Sequence, residues 1–234
     1  MIKVLIVEDE IHIARHLHKQ VSKVLKETAH HINRMGTLEE AMQYLEKNEV
    51  DVLLLDLNLR GRDGFEVLKT LTAAPFYTIV VSAYKNRAIE AFEYGVADFV
   101  PKPFTEERLK KAFSRISGLE QAPEYPVKYF ATQKKGKIQL VKDQDIAYIQ
   151  AFGHYSKLHL KDGSTELHSK SLVKLSPLLS RDYERVHKSY LVKMSEVKNI
   201  LVYEGGKYEI ELKNGAFIPL GRSKYKKIKA KWLK

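Results

Sequence analysis

The stretch Val52-Leu53-Leu54-Leu55-Asp56-Leu57-Asn58 decides the fold, because four apolar residues run directly into an aspartate. A short run without a polar side is typical of a strand that is covered on both faces, as strands of parallel sheets are. Three further runs of this kind and one weaker signal predict a set of five strands. They are Ile2–Val7, His30–Asn33, Val50–Leu55, Phe76–Val81 and Val96–Val100.

Helix signals separate these runs. Thr37-Leu38-Glu39-Glu40 is a capping box, and it opens a predicted helix that continues to about Lys47. Thr105-Glu106-Glu107 supplies a cap and an acidic first turn for a last helix that ends near Ser117. Five such β-α units within about 118 residues predict an α/β fold with a doubly wound, parallel, five-stranded sheet.

A change of rhythm marks a second domain. Gly118, Pro123 and Pro126 lie in a stretch without helical period, which predicts a linker. We therefore divide the chain into a first domain of residues 1–118, a linker of residues 119–127 and a second domain of residues 128–234. Short β-rich segments and hairpin signals predict that the second domain is mainly antiparallel β. Its predicted strands are Val127–Thr132, Lys137–Val141, Ile146–Phe152, Lys157–Leu160, Thr165–His168, Arg185–His187, Val197–Tyr203, Tyr208–Leu212 and Ala216–Pro219, and its predicted helices are Lys170–Leu179 and Arg222–Leu233.

The composition excludes several classes of function. The chain has no cysteine, so it has neither disulfides nor thiolate metal sites. Its first residues lack the long apolar stretch of a signal peptide, and no apolar run approaches the length of a membrane span. We therefore predict a cytoplasmic protein without a membrane partner.

The positive charge is confined to the second half. Residues 1–118 hold 17 basic and 17 acidic residues, which leaves 23 of the 40 basic and 12 of the 29 acidic residues for the rest of the chain. The second half thus carries the whole net charge of +11. This asymmetry favours a control module joined to a module that binds a polyanion, and the alternative is a solvated, lysine-rich surface.

Polar residues follow four of the predicted strands, where open α/β sheets place their functional side chains. They are Glu8 and Asp9, Asp56, Ser82 and Lys102. Three converging carboxylates would repel one another unless a hard divalent cation lay between them, and Mg²⁺ suits oxygen ligands. An aspartate can also act as a nucleophile and form an acyl phosphate, with Lys102 neutralising the phosphoryl group and the Ser82 hydroxyl donating to it.

With these motifs, residues 1–117 resemble a bacterial receiver domain. The motifs are Val7-Glu8-Asp9-Glu10, Leu55-Asp56-Leu57-Asn58, Gly61 to Gly64, Ser82-Ala83 and Lys102-Pro103. The resemblance implies that Asp56 is the phosphoacceptor, and that Glu8, Asp9, Asp56 and the backbone carbonyl of Asn58 bind Mg²⁺. It also implies that Ser82 and Phe99 form a switch pair and that the Lys102-Pro103 bond is cis. Glu8 stands where Asp is also common, which leaves the metal role intact, and the alternative role for Phe99 is core packing.

The second half resembles a LytTR-type DNA-binding domain across about residues 128–234. The matching stretches are Ile146–Ala151, Tyr183–Val192 and Pro219–Tyr225. Such domains are β folds that place loops into successive major grooves of paired repeats. The resemblance implies a set of DNA contacts. The chain has Gly221 at a position where the family usually has Ser. The candidates are His154, Tyr155, Lys157, Lys188, Arg222 and Lys224.

The leading hypothesis is therefore a response regulator that a sensor histidine kinase phosphorylates on Asp56. It would then form a homodimer and bind double-stranded DNA with paired repeats, without being an enzyme. One alternative is a phosphatase of the haloacid-dehalogenase type, but such enzymes use a second Asp where this chain has Asn58. Another alternative keeps the receiver and lets the basic, tyrosine-rich half bind RNA or a protein.

Overall fold

The computed structural model describes residues 1–26, 28, 30–59, 62–117 and 126–233. Within these ranges it does not describe the side chains of Arg62, Asp63, Glu66, Lys69 and Lys85. The predicted linker therefore lies largely outside the described residues, and so does Gly61.

The first half is built on a parallel five-stranded sheet with the order β2-β1-β3-β6-β7, which confirms the predicted fold class. Its strands are β1 (Ile2–Val7), β2 (His30–Met35), β3 (Val52–Leu55), β6 (Tyr77–Ser82) and β7 (Asp98–Pro101), and a small hairpin joins β4 (Asn58–Leu59) to β5 (Arg62–Asp63). Its helices are α1 (Ile11–Val24), α2 (Leu38–Lys47), α3 (Gly64–Thr72), α4 (Ala88–Glu93) and α5 (Glu106–Ile116).

Alternate residues of β1 show how the sheet is covered on both faces. Val4 and Ile6 pack in a buried cluster with residues of α1 and α5, whereas Leu5 and Val7 pack with residues of α2, α3 and α4. Both predicted helix caps are present, because the Thr37 hydroxyl accepts from the backbone N–H of Glu40 and the Thr105 hydroxyl accepts from that of Arg108.

Several strand limits differ from the prediction by one or two residues. The run Val50–Leu55 forms a strand only from Val52, and Phe76–Val81 is shifted to Tyr77–Ser82. The weak signal at His30–Asn33 belongs to an edge strand that extends to Met35 and is only half buried. An edge strand has one sheet neighbour, so its sequence is not uniformly apolar.

The second half is mainly antiparallel β, as predicted. A five-stranded sheet has the order β12-β11-β10-β14-β13, and it is accompanied by a three-stranded and a two-stranded sheet. The strands are β8 (Tyr129–Lys134), β9 (Lys137–Lys142), β10 (Ile146–Phe152), β11 (Tyr155–Leu160), β12 (Thr165–His168), β13 (Tyr183–His187), β14 (Tyr190–Lys193), β15 (Val197–Tyr203), β16 (Lys207–Leu212) and β17 (Phe217–Leu220).

The two predicted helices of this half are shorter than expected. The first, α6, spans Leu172–Leu175 and continues as a 3₁₀ turn, because Ser171 caps it and Pro177 disrupts its regular hydrogen bonding. Lys170, predicted to be helical, precedes the cap. The second predicted helix begins with a 3₁₀ turn at Arg222–Lys224 and becomes α7 only over Tyr225–Trp232.

His159 is expected to make the stability of this domain depend on pH. Its ring stacks on Tyr148 with 4.1 Å between centroids and contacts the Gln150 side chain at 2.9 Å. Burial lowers the pKa of His159 to about 4. In the unfolded chain, histidines titrate at about pH 6.5, so as the pH falls the unfolded state binds a proton at His159 before the folded state does. The free energy of unfolding therefore decreases as the pH falls from about 6.5 towards 4.

We expect His159→Phe, which keeps a ring but cannot titrate, to lose less thermal stability across this pH window than the wild type loses. Thermal unfolding followed by circular dichroism at several pH values measures the difference. His168, whose pKa burial also lowers, remains in both proteins and acts as an internal reference. The same pH dependence in both proteins would contradict the assignment to His159.

Candidate phosphorylation site and nucleic-acid interface

An acidic crevice lies where β1 and β3 end. These parallel strands are neighbours, with Val7 opposite Leu55, so the residues that follow them emerge side by side. Carboxylate oxygens of Glu8, Asp9 and Asp56 lie within 4.8 Å of one another. The structure thus brings together the three carboxylates that the sequence analysis selected.

Lys102 reaches the crevice from the end of β7. Its Nζ lies 2.7 Å from Glu8 Oε2 and 2.7 Å from Asp56 Oδ2, and all three side chains are largely buried. The following bond, Lys102-Pro103, is cis, as the resemblance implied. The backbone N–H of Lys102 donates to the Ser82 carbonyl, which links the ends of β6 and β7.

The charges of the crevice are only partly balanced. Burial raises the pKa of Glu8, although the nearby Lys102 ammonium opposes this effect. Burial acts to lower the pKa of Lys102, but its hydrogen bond to Asp56 and its ion pair with Glu8 outweigh burial and raise that pKa. Contact of Glu8 Oε2 with Lys102 is an ion pair without a well-directed hydrogen bond, and Glu8 Oε1 has no hydrogen-bond partner in the described part of the chain. These buried oxygens fit a hard divalent cation.

The loop after β3 fixes the orientation of Asp56. Its backbone N–H donates to the Val7 carbonyl at 3.0 Å, and its Oδ1 accepts from the backbone N–H of Asn58 at 3.1 Å. Gly64 begins α3 against this loop, because a Cβ there would lie 3.0 Å from Leu57 Cα. The carboxylate is therefore held by backbone contacts on a short, closely packed loop.

The two residues of the expected switch pair lie on adjacent strands. Ser82 ends β6 and is fully buried, and its hydroxyl has no hydrogen-bond partner among the residues that the structure describes. Phe99 lies on β7, opposite Val80, and its ring is buried in the same apolar cluster as Phe65 and Leu68. The Ser82 hydroxyl therefore has an unused donor among the described residues, on the strand next to the one whose end leads to Lys102.

Asp98, which the sequence analysis did not select, organises the β7–α5 side of the domain. Its fully buried carboxylate accepts two bonds from Arg108, at 2.6 and 2.7 Å, and one from Arg115 at 2.5 Å. Arg108 also donates to the carbonyl of Phe99 at 2.5 Å. The only signal in the sequence was one acidic residue within an apolar run, and such a residue is buried only when it is paired.

Three candidate DNA-contacting loops lie at one end of the five-stranded sheet. The β10–β11 turn carries His154, and the β13–β14 turn carries Lys188. In the ladder between β10 and β14, Gln150 lies opposite Tyr190, so the two turns emerge at the same end. The backbone N–H of Gly221 donates to the carbonyl of Val186 on β13, which brings the start of the last helical segment to this end.

Individual candidates differ in their local contacts. His154, Tyr155, Lys188, Arg222 and Lys224 are exposed. Lys157 is half-buried, and its ammonium lies 4.7 Å from the centre of the Phe152 ring. Arg222 donates from Nε to the Gly206 carbonyl at 3.1 Å and from Nη2 to the Gly205 carbonyl at 3.2 Å, so part of its donor capacity is used within the chain.

Arg222→Ala is expected to weaken specific DNA binding by about 1–3 kcal/mol if the guanidinium reads a base. Specific and random DNA would then bind with more similar affinities. A contact to phosphate alone would weaken both and lower the salt slope by about one unit. Titrations of both DNAs at several salt concentrations decide between the two, with the exposed Lys213→Met as the control for loss of charge. Unchanged binding of both would remove Arg222 from the interface.

Comparison with known proteins agrees with both halves of the structure. Residues 4–114 match the response regulator receiver domain, and residues 136–233 match the LytTr DNA-binding domain. The chain is 30% identical over 244 residues to the transcriptional regulatory protein BtsR of Escherichia coli K12, across 98% of each chain. It is 29% identical over 240 residues to the sensory transduction protein LytT of Bacillus subtilis 168, again across 98% of each.

Among solved structures, the response regulatory domain of protein mrkE from Klebsiella pneumoniae matches 50% of this chain and 96% of its own, with 25% identity and a TM-score of 0.45. The chain belongs to the response regulators that join a receiver domain to a LytTR-type DNA-binding domain. Neither matched domain is that of a haloacid-dehalogenase phosphatase. In the part of the chain that the structure describes, no helix has the length and apolar character to cross a membrane.

Proposed function

We propose that a sensor histidine kinase phosphorylates this regulator on Asp56 and that the phosphoryl group controls sequence-specific binding to double-stranded DNA. The observation that carries the proposal is the crevice in which Lys102 contacts both Glu8 and Asp56 at 2.7 Å. A nucleophilic carboxylate, a buried cation and further acidic ligands are the groups that phosphoryl transfer to an aspartate requires.

Each residue of the crevice has a chemical part in this proposal. The Asp56 carboxylate attacks the phosphorus, the P–N bond to the kinase histidine breaks and its imidazole leaves. Lys102 neutralises charge on the transferred group, and the Ser82 hydroxyl donates to one of its oxygens. Glu8, Asp9, Asp56 and the Asn58 carbonyl would hold Mg²⁺. Bound there, the ion would supply the positive charge that offsets the three carboxylates. Phe99 would be the second residue of the switch pair, and its ring would change position when Ser82 binds the phosphoryl group.

Labelling of the protein by radioactive acetyl phosphate is expected only when Mg²⁺ is present. Without the ion, three clustered carboxylates repel the incoming phosphoryl group as well as one another. Removal of the metal with EDTA should reduce labelling to background, and added Mg²⁺ should restore it. Equal labelling in EDTA would contradict the proposed metal site.

In the second half, we propose residues 128–234 as the DNA-binding unit, separated from a receiver unit of residues 1–118 by a linker of residues 119–127. Support comes from the net charge of +11 beyond residue 118 and from the basic and polar loops at one end of the sheet. The contacts would come from His154, Tyr155, Lys157, Lys188, Arg222 and Lys224. Both proposed partners, a kinase and DNA, are consistent with the predicted cytoplasmic location.

We further propose that the phosphorylated regulator forms a homodimer on paired repeats through α4, β7 and α5. Two linked DNA-binding domains make the second binding event intramolecular, which raises affinity without stronger contacts. Some charges of this face already have partners within the chain, since Arg108 and Arg115 bind Asp98 and Arg87 contacts Glu90. Lys110, Lys111 and Glu107 are the exposed charges that we assign to the dimer contact.

A binding experiment tests the proposed function. The regulator, with and without the phosphoryl mimic beryllofluoride and Mg²⁺, is titrated with double-stranded DNA carrying one or two sites, selected from a random pool, and with single-stranded RNA. We expect the mimic to tighten binding to two-site DNA most. Preference for RNA would favour the alternative in which exposed aromatics, such as Phe152 and Tyr155, stack on bases.

A further inference from the structure

The C-terminal residue of α3 and the turn that follows it accept hydrogen bonds from side chains of the other domain. Four consecutive carbonyls, from Thr72 to Pro75, accept hydrogen bonds from Ser169 and Lys170, which follow β12, and from Lys174 within α6. Lys170 Nζ donates to Thr72 O at 2.5 Å and to Ala74 O at 2.7 Å, and Lys174 Nζ donates to Pro75 O at 2.7 Å. The Ser169 hydroxyl donates to Ala73 O. We call Ser169–Lys174 the docking segment.

Lys170 is the centre of this contact. Its residue is only 2% exposed, although it carries a long cationic side chain. A helix ends with unsatisfied carbonyls and a partial negative charge, so an ammonium group is well placed at the C-terminus of α3. The backbone N–H of Lys170 donates to His168 Nδ1 at 3.0 Å, which fixes where the side chain leaves β12. Burial lowers the pKa of Lys170 to about 7, whereas the carbonyls favour its charged form.

A second set of contacts joins the domains beside the docking segment. Lys128 donates from its backbone N–H to Glu93 O at 2.9 Å and from Nζ to Glu93 Oε1 at 2.5 Å. The rings of Tyr94 and Tyr129 stack with 5.4 Å between centroids. The end of α4 is therefore held against β8 while the end of α3 is held against the docking segment.

The opposite end of α3 meets the phosphoacceptor loop. The N–H of Gly64 donates to Leu57 O at 2.8 Å, and a Cβ on Gly64 would lie 3.2 Å from Asp56 O. The helix has nine residues, or about 14 Å, so a single rigid element connects the Asp56 loop with Lys170. A shift of this loop would therefore pass along α3 to the carbonyls that Lys170 binds.

The docking segment also lies at the DNA-contacting end of the sheet. Ser156, near the start of β11, pairs with His168 at the end of β12, so the β10–β11 turn and the docking segment emerge at the same end. The loops run from the docking segment through His154 and Lys188 to Arg222, across four strand spacings of about 4.8 Å each. The docked receiver domain therefore lies beside the β12 edge of the sheet, at one end of the row of loops that we expect to contact DNA.

We propose that the docking segment, with Lys170 as its central contact, holds the DNA-binding domain against α3 in the unphosphorylated regulator, and that phosphorylation of Asp56 releases it through α3. The proposal rests on the proposed function, because it concerns how Asp56 controls DNA binding. Docking hinders DNA at the β12 end of the loop row and holds the end of α4, which the proposed dimer also uses. Release exposes both surfaces together.

The contact is suited to reversible release. On separation, the four carbonyls and the three donor groups form hydrogen bonds to water instead. The free-energy cost of losing each interdomain hydrogen bond is therefore far smaller than the cost of a hydrogen bond broken in an apolar core. Lys170 also regains full hydration, which offsets part of the lost attraction to α3. A modest displacement of α3 can therefore shift the balance between docked and released forms.

Interdomain distance provides the direct test in the full chain. Since the chain has no cysteine, Glu46→Cys and Val202→Cys introduce the only two spin-label sites, one exposed position in each domain. Pulsed electron paramagnetic resonance should give one narrow distance distribution for the wild-type background. We expect a broad distribution for Lys170→Met, which keeps the chain length but removes the donors, and for Ser169→Leu, which keeps Lys170 but adds bulk against Ala73. Lys213→Met, an exposed change of the same charge, is the control.

DNA affinity is measured on the same proteins. Unphosphorylated Lys170→Met and Ser169→Leu should bind two-site DNA about 5- to 150-fold more tightly than the unphosphorylated wild type, the usual range of coupling between sites. By reciprocity, both should also bind beryllofluoride more tightly. Circular dichroism verifies folding, and Ser169→Leu carries the test if Lys170→Met does not fold.

Three outcomes would each contradict a different part of this proposal or of the proposed function. If both variants fold and keep the narrow distance and the wild-type DNA affinity, the docking segment does not hold the domains. If the variants release the domain but beryllofluoride tightens wild-type DNA binding without changing the distance, α3 does not transmit the signal. If beryllofluoride has no effect on wild-type DNA binding while both variants release and bind more tightly, docking is supported and the proposed control by Asp56 fails.

Discussion

Replacing Asp56 by asparagine is expected to abolish labelling by acetyl phosphate completely. An amide is not a nucleophile towards phosphorus, whereas its size matches the carboxylate that contacts Lys102 and the backbone N–H of Asn58. Phosphate transfer should therefore be lost without loss of the fold. Incorporation of radioactive phosphate, with the melting temperature measured in parallel, separates the chemical effect from a structural one.

Asp51→Asn is the matched control for this experiment. Asp51 precedes β3 at the opposite end of the same strand, where its carboxylate accepts from the backbone N–H of Lys3 at 3.0 Å. It should be labelled like the wild type. Labelling of Asp56→Asn at the wild-type level would show that another residue accepts the phosphoryl group, and the assignment of the site would then be wrong.

Asp98→Ala is expected to destabilise the receiver domain by about 3–5 kcal/mol, the usual cost of removing one partner of a buried ion pair. The change would leave Arg108 and Arg115 without the carboxylate that both bind, and their side chains are only 26% and 21% exposed. It would also loosen the attachment of α5 to β7. Urea unfolding followed by circular dichroism measures the loss of stability.

Glu49→Ala is the comparison for this prediction. The Glu49 side chain is 92% exposed and pairs with Lys3 at the surface, where solvent screens the interaction. Its removal should change stability little. If Asp98→Ala were no more destabilising than Glu49→Ala, the two arginines would have found other partners, and Asp98 would not be the centre of the β7–α5 contact.

Local patterns in the sequence were sufficient for the fold class and for the position of the acidic crevice. Apolar runs predicted the parallel strands, because a strand covered on both faces has no polar side. The hydroxyl caps at Thr37 and Thr105 act within three residues of the helix start, so they too could be recognised locally. Once the strands were known, topology placed Glu8, Asp9, Asp56 and Lys102 at one edge, where the structure has them.

Other features depended on which distant residues come together. Lys170 fitted the pattern of a helical residue, yet it is a buried cation whose acceptors lie 96 and 98 positions away along the chain. Asp98 was one charge within an apolar run until Arg108 and Arg115 supplied its partners. The sequence by itself determined the elements and the crevice, because hydrophobic pattern, capping and strand order act locally or through a known topology. Only the tertiary structure decided how the two domains meet and which charges are buried, because burial of a charge depends on partners that adjacent sequence does not encode.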